Sequence, residues 1–250
     1  MRVGLIGAGN MARALARGWG EPVLCSDSGS GRAAALVAEL GGRVATNLEV
    51  AREADLVVLC HKPKQLSAVA QEIGKEVKAV ASVLGATSVG NLQAAYWGVP
   101  VFRLMPNTPV EVGRGIICYT PAPEVDPALE AEVLGLFGRL GWVESMDETA
   151  IHAASAVASV GPAYQALLAE AQVDAAVRHG LRPDLAARLV VETMAGSAAL
   201  LVARDYDTLE VRREVTSPGG STARGLEALE RAGVRTAFQE AMHRVNGTGT

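Results

Sequence analysis

Residues 2–15 read RVGLIGAGNMARAL, and this stretch decides how the first half of the chain folds. Val3–Ile6 is an apolar run short enough for a buried strand, Gly7-Ala8-Gly9 is a turn, and from Met11 to Trp19 apolar residues recur three and four apart. A strand, a glycine turn and a helix in that order make the fingerprint of a dinucleotide site. The first glycine makes the turn, the second lets the backbone approach a pyrophosphate, and Ala12 permits close helix packing. The helix amino terminus then offers N–H groups and partial positive charge to phosphate. Gly7, Ala8, Gly9, Asn10 and Met11 are therefore expected to bind a dinucleotide, against the competing reading of a glycine turn that is only structural.

Working outward, the runs PVLCS, ADLVVLC, VKAVASVL and PVFRLM repeat the buried-strand pattern, and Arg32–Leu40 and Gln65–Ile73 repeat the helical one. Alternation of this kind predicts a parallel sheet wrapped by helices, a Rossmann-type α/β domain. GIICYT and GWVESM follow as shorter strands around a helix from about Pro127 to Leu140. Beyond Glu148 no strand pattern recurs. Alanine-rich helical segments are predicted from about Thr149 to His179, Pro183 to Ala203 and Thr222 to Arg231, with GLRPD as a turn. The expected organisation is a dinucleotide-binding domain over 1–147 and an all-helical domain over 148–250.

Composition narrows the function classes. The 250 residues are 49% hydrophobic and 20% charged, with a formal net charge of -4 and no basic run, so neither nucleic acid nor a membrane is an expected partner. No uninterrupted apolar run approaches the roughly 18 residues of a membrane helix. The first residues lack the pattern of a signal peptide, and the expected location is the cytoplasm. Cys25, Cys60 and Cys118 stand without CxxC spacing, so they read as small buried hydrophobes, with no disulfide framework and no metal site implied.

The ends of the predicted strands supply the remaining candidates. After the second strand, Asp27 suits the ribose hydroxyls of NAD, while Ser26, Ser28, Ser30 and Arg32 suit a 2′-phosphate; both cofactors stay open, as does a role for Asp27 in capping the next helix. His61, Lys62 and Pro63 end the third strand run and Asn107 follows PVFRLM, where open sheets bind ligands. A buried amide at Asn107 can orient a nicotinamide or a substrate. An imidazole at His61 beside the nicotinamide is useful chemistry, although a strand-end histidine also serves as a partly exposed side chain.

A second glycine loop lies far along the chain, in Thr216–Glu230, TSPGGSTARGLEALE. Pro218 fixes a turn, Gly219 and Gly220 bare backbone N–H groups, and a helix follows. No βαβ unit surrounds it, so it suits one small carboxylate rather than a dinucleotide. On spacing alone an ordinary Gly-Gly turn capped by Ser221 or Thr222 is the favoured reading.

RVGLIGAGNMARAL, HKP, MPNTPVEVGRG, VGPAY and TSPGGSTARGLEALERAGVRTAF together resemble pyrroline-5-carboxylate reductase, in order over nearly the whole chain. The resemblance implies reduction of the cyclic imine 1-pyrroline-5-carboxylate to L-proline by NADPH or NADH. It also implies a helical domain interlocked with its twin in a homodimer, often assembled into rings of dimers. On this basis Ser217, Gly219, Gly220, Ser221 and Thr222 bind the substrate, with Thr222 near the imine nitrogen as the catalytic residue, and Asn47 and Gly85 join the cofactor set. A cyclic imine can enter as its protonated iminium, so alignment with the nicotinamide does most of the work. All four lysines, Lys62, Lys64, Lys75 and Lys78, lie in the first domain, which weakens a hydroxyacid dehydrogenase with a catalytic lysine on its first long helix. Ala158-Ser159-Val160, Val83-Leu84 and His61 depart from the family pattern. A reductase of another imino or keto acid, and a nucleotide-binding protein without catalysis, are the alternatives.

Overall fold

The computed structural model describes residues 1–247 and divides into two compact units, one over Met1–Pro162 and one from Ala163 onward. The first unit alternates β1 (Val3–Ile6), α1 (Asn10–Trp19), β2 (Val23–Ser26), α2 (Arg32–Leu40), β3 (Gly42–Val44), α3 (Asn47–Glu53) and β4 (Leu56–Leu59). It continues through α4 (Leu66–Ile73), β5 (Val80–Ser82), α5 (Val89–Ala95), β6 (Val101–Pro106), β7 (Gly115–Thr120), α6 (Pro127–Gly138), β8 (Gly141–Ser145) and α7 (Ile151–Ala158). The strands form one sheet in the order β3-β2-β1-β4-β5-β6-β7-β8. Neighbours are parallel except β6 and β7, which are antiparallel. Growth of the sheet switches sides between β1 and β4, the place where doubly wound folds open a crevice.

The apolar runs are continuous because both faces of the sheet are covered. Along β4, Leu56 and Val58 enter one core with Leu15, Leu36, Phe102 and Phe137, while Val57 and Leu59 enter the other with Val50, Ile73 and Leu92. Helices α1, α2 and α6 supply the first core, and α3, α4 and α5 the second. On β6 the buried Arg103 pairs with Glu148 at 2.5 Å, and Glu148 also accepts from the Val89 N–H at 2.8 Å, which fixes the segment after β8.

Where the alanine-rich pattern predicts one helix over 149–179, the chain breaks between α7 and α8 (Gly161–Arg178). Pro162 has no N–H to give the Ala158 carbonyl one turn back. The Asn107 side chain supplies that donor instead, its Nδ2 lying 3.0 Å from the Ala158 oxygen, while its Oδ1 accepts from the Ile116 N–H at 2.8 Å. Helix α7 packs on β6 and β7, so compactness divides the chain at Pro162, later than the change in sequence pattern near Asp147.

The second unit continues through α9 (Pro183–Ala203), α10 (Thr208–Glu214), α11 (Ser221–Arg231) and α12 (Val234–Val245). Pro183 opens α9 at a position where its missing N–H costs nothing, and Asp207 caps α10 by accepting from the Leu209 and Glu210 amides. Tyr164 and Phe238 meet edge to face at 6.3 Å, joining α8 to α12. Among the described residues of α8 to α12 only Ala186 is buried. Helix α9 is long and apolar enough to cross a membrane by length and composition, with a mean hydropathy of 1.6. Arg188 and Glu192 interrupt its apolar run, which is why no such span stands out in the sequence.

Candidate active site

The carboxyl ends of β1, β2 and β4 open into a cleft of about 750 Å³, within the ~300–1,000 Å³ of small-molecule sites. Gly7, Ala8, Gly9, Asn10 and Met11 line it from the β1–α1 turn, Ser26 and Asp27 from β2, Asn47 from the start of α3, and His61 and Lys62 from the end of β4. Pro63, Gly85 and Asn107 lie outside this lining. Ile6, Ser28, Ser30, Arg32, Cys60, Gln65 and Val69 complete it; the last two had no motif to announce them, although Gln65 fixes the turn by accepting from the Lys62 N–H at 3.1 Å.

Gly7 holds a φ of 100°, and a Cβ there would sit 2.7 Å from the Cys60 carbonyl carbon and 2.8 Å from the His61 nitrogen. Only glycine allows the turn to press against the exit of β4. Gly9 caps α1 with no side-chain hydrogen bond, which leaves the first amides of the helix to an incoming anion. These features fit a dinucleotide pyrophosphate.

Side chains around the cleft hold one another in place. The Ser26 hydroxyl donates to Asn47 Oδ1 at 2.6 Å, and Asn47 Nδ2 donates to Glu72 at 2.8 Å. The Asp27 carboxylate accepts from the Gly29 N–H at 2.8 Å, the Ser30 hydroxyl at 2.8 Å and the Ala33 N–H at 3.0 Å. These bonds, that from Ala33 foremost, hold its carboxyl below the usual carboxylate range. His61 Nδ1 lies 2.9 Å from the Lys62 carbonyl, an acceptor, so the proton sits on Nδ1. Burial lowers the imidazole's pKa against that bond's smaller upward pull. Burial pushes the Cys60 thiol up to about 12, which leaves it unreactive.

The second glycine loop belongs to the helical unit. Gly219 has a φ of 69°, the Gly220 N–H donates to the Ser217 carbonyl at 3.0 Å, and a Cβ on Gly220 would collide with Ser217 Oγ. Gly220 caps α11 without a side-chain bond, so the N–H groups of Ser221 and Thr222 open outward as they would toward a carboxylate. Thr222 is half-buried and its hydroxyl has no hydrogen-bond partner among the described residues. Arg224, which the sequence did not single out, donates from Nη1 to the Gly219 carbonyl at 2.6 Å and latches the loop from behind.

Residues 148–248 match the family described as pyrroline-5-carboxylate reductase dimerisation, and residues 2–86 match NADP oxidoreductase coenzyme F420-dependent. The chain is 32% identical over 257 residues to pyrroline-5-carboxylate reductase of Pseudomonas aeruginosa, covering 97% of this chain and 93% of that protein. It is 33% identical over 274 residues to the Mycobacterium tuberculosis enzyme of the same name, covering 96% and 93%. Among solved structures, Plasmodium falciparum pyrroline carboxylate reductase with NADP bound superimposes with a TM-score of 0.88 at 27% identity, covering 99% of this chain and 96% of that one.

Proposed function

The chain belongs to the pyrroline-5-carboxylate reductase family, and from that membership we propose how its residues divide the reduction of 1-pyrroline-5-carboxylate to L-proline. It is an NAD(P)H-dependent oxidoreductase of proline biosynthesis. The observation that carries this reading is kinship over nearly the full length of both chains at 32% identity.

We assign cofactor binding to 1–147 and substrate binding and dimerisation to 148–250. The bound cofactor supplies the hydride. Gly7 to Met11 hold its pyrophosphate on backbone N–H groups, Ser26, Asp27 and Asn47 shape the adenosine end, and His61 and Lys62 flank the phosphates. Pro63, Gly85 and Asn107 stand at or beyond the ends of neighbouring strands and complete the nicotinamide end. Ser217, Gly219 and Ser221 take the substrate carboxylate on N–H and hydroxyl donors, and Gly220, without a side chain, lets it approach the start of α11. The Thr222 hydroxyl hydrogen-bonds at the ring nitrogen, keeping the electrophilic carbon aligned for hydride. Because the iminium arrives protonated, no side chain has to deliver that proton, in keeping with a second half that contains no lysine.

The dimerisation match makes the protein an oligomer; we assign a homodimer, with rings of dimers as its higher assembly, located in the cytoplasm and with no nucleic-acid or membrane partner. The test is steady-state loss of nicotinamide absorbance with pyrroline-5-carboxylate and each cofactor. Substrate-dependent oxidation is expected, and none with either cofactor across neutral pH overturns the reading.

A further inference from the structure

We propose that Arg224 is a positioning residue for the substrate carboxylate: it pins the Ser217–Gly220 turn in the shape that presents the start of α11, and it brings a positive charge to that turn. The inference rests on the reading of this loop as the carboxylate site and adds to it a residue outside the glycine motif.

The turn has little else to hold it. Ser217, Pro218 and Gly219 are exposed, so burial within this unit does not fix them. Gly219 and Gly220, with no Cβ, have the most backbone freedom to lose on ordering, and α11 begins without a side-chain cap. Backbone bonds close the turn once, from the Gly220 N–H to the Ser217 carbonyl at 3.0 Å, and begin the helix, from the Arg224 N–H to the Gly220 carbonyl at 3.2 Å. Among the described residues the one side-chain bond onto Ser217–Gly220 comes from Arg224, whose Nη1 donates to the Gly219 carbonyl at 2.6 Å. The peptide between Gly219 and Gly220 is thereby held at both ends, its N–H by Ser217 and its oxygen by Arg224. With that peptide fixed, Gly219 keeps its φ of 69° and the N–H groups of Ser221 and Thr222 keep their outward aim.

Charge is a second observation. A helix start favours acidic side chains, because its dipole is positive there. Helix α11 has no acid in its first turn and carries Arg224 as its fourth residue. A cation at that place works against the helix and in favour of an arriving anion. The acids farther along α11 do not neutralise it, since Glu227 pairs with Arg231 and Glu230 with Arg235. Arg224 makes no ion pair among the described residues, and its charge is left to the loop.

Steady-state kinetics of the full-length protein with pyrroline-5-carboxylate and saturating reduced dinucleotide test this. Arg224→Ala is expected to raise KM for the imine about tenfold, the scale of one charge-assisted hydrogen bond, with kcat changed less than about threefold. Dinucleotide Kd, read by fluorescence titration, should stay within about twofold, because the loop lies outside the cofactor cleft. Arg224→Lys keeps the charge and one donor and is expected to recover part of the loss. An arginine that only stabilised the helix would leave KM alone and lower the denaturation midpoint; here the midpoint is expected to hold, since Arg224 is exposed and alanine suits a helix. A KM for Arg224→Ala within about twofold of wild type overturns the proposal, as does an equal loss of dinucleotide affinity. Either result with an active wild type leaves the functional reading standing, whereas a wild type that reduces no imine sinks that reading and takes this inference with it.

Discussion

In the first unit Leu15, Leu56, Phe102 and Phe137 are fully buried, whereas in the second Leu189, Val191 and Leu229 stand 49%, 56% and 56% exposed. Both halves are rich in apolar residues, and only one has found a place for them. The inner strands of the sheet have helices on both faces, so the first unit closes two cores with its own chain. Five helices without a sheet leave long apolar stripes uncovered, and exposed apolar area on this scale marks a surface made for association. The difference teaches that the first half carries its own stability and that the second half borrows it from a partner.

That contrast can be broken at its strongest point. Leu189→Asp places a charge on the apolar face of α9, and burying it unpaired at an interface should weaken dimerisation by about a hundredfold or more. Light scattering at micromolar concentration reads the result; an intact dimer would show that α9 stays wet in the assembly. The counterpart in the first unit is Phe137→Ala, expected to cost about 3–5 kcal/mol of stability through lost burial and a residual cavity. Denaturant unfolding measures it, and a loss under about 1 kcal/mol would mean that the first core is not the self-sufficient one.

The chemistry sharpens the comparison further. Thr222→Ala should lower kcat/KM by roughly tenfold to a thousandfold, the scale of one catalytic hydrogen bond, while dinucleotide affinity stays within about twofold. Equal damage to both would merge the two glycine loops into one nucleotide site.

The smallest expected effect concerns His61. Its folded pKa lies below the ordinary ~6.5, so the unfolded chain takes up the proton first. Its contribution to stability is complete above about pH 6.5 and is lost as pH falls through the lowered folded value. His61→Val should therefore flatten part of the decline in denaturation midpoint between about pH 7.5 and 5.5, and an unchanged slope would show that other groups carry it.

Elements with strong local signals were readable from sequence. RVGLIGAGN has a strand, a turn and a capless helix start within a few residues, and it folds as β1, Gly7–Gly9 and α1. Strand β3 was not readable, because Gly42, Arg43 and Val44 are all exposed on the sheet's edge and no apolar pattern marks them. Helix α3 had an unused signal: Thr46 and Glu49 form a capping box, the spacing that announces a helix start. Ser26 and Asp27 were legible as cleft residues by their place at the end of β2, and Asn47 only through the family resemblance, but not the bonds among them. Which lone pairs of Asp27 remain free depends on how 29–33 curl back, and no local rule dictates that.

The Asn107 amide stands in for a donor that Pro162, by its chemistry, lacks. The two positions thus form one functional unit despite lying far apart in the chain, and neither can drift independently. A residue at 162 with an N–H of its own would return α7 to self-sufficiency and make the amide at 107 redundant, so the penalty of Asn107→Ala should shrink in a Pro162→Ala background. A double-mutant cycle would read this as a coupling free energy between a side chain and an absent hydrogen.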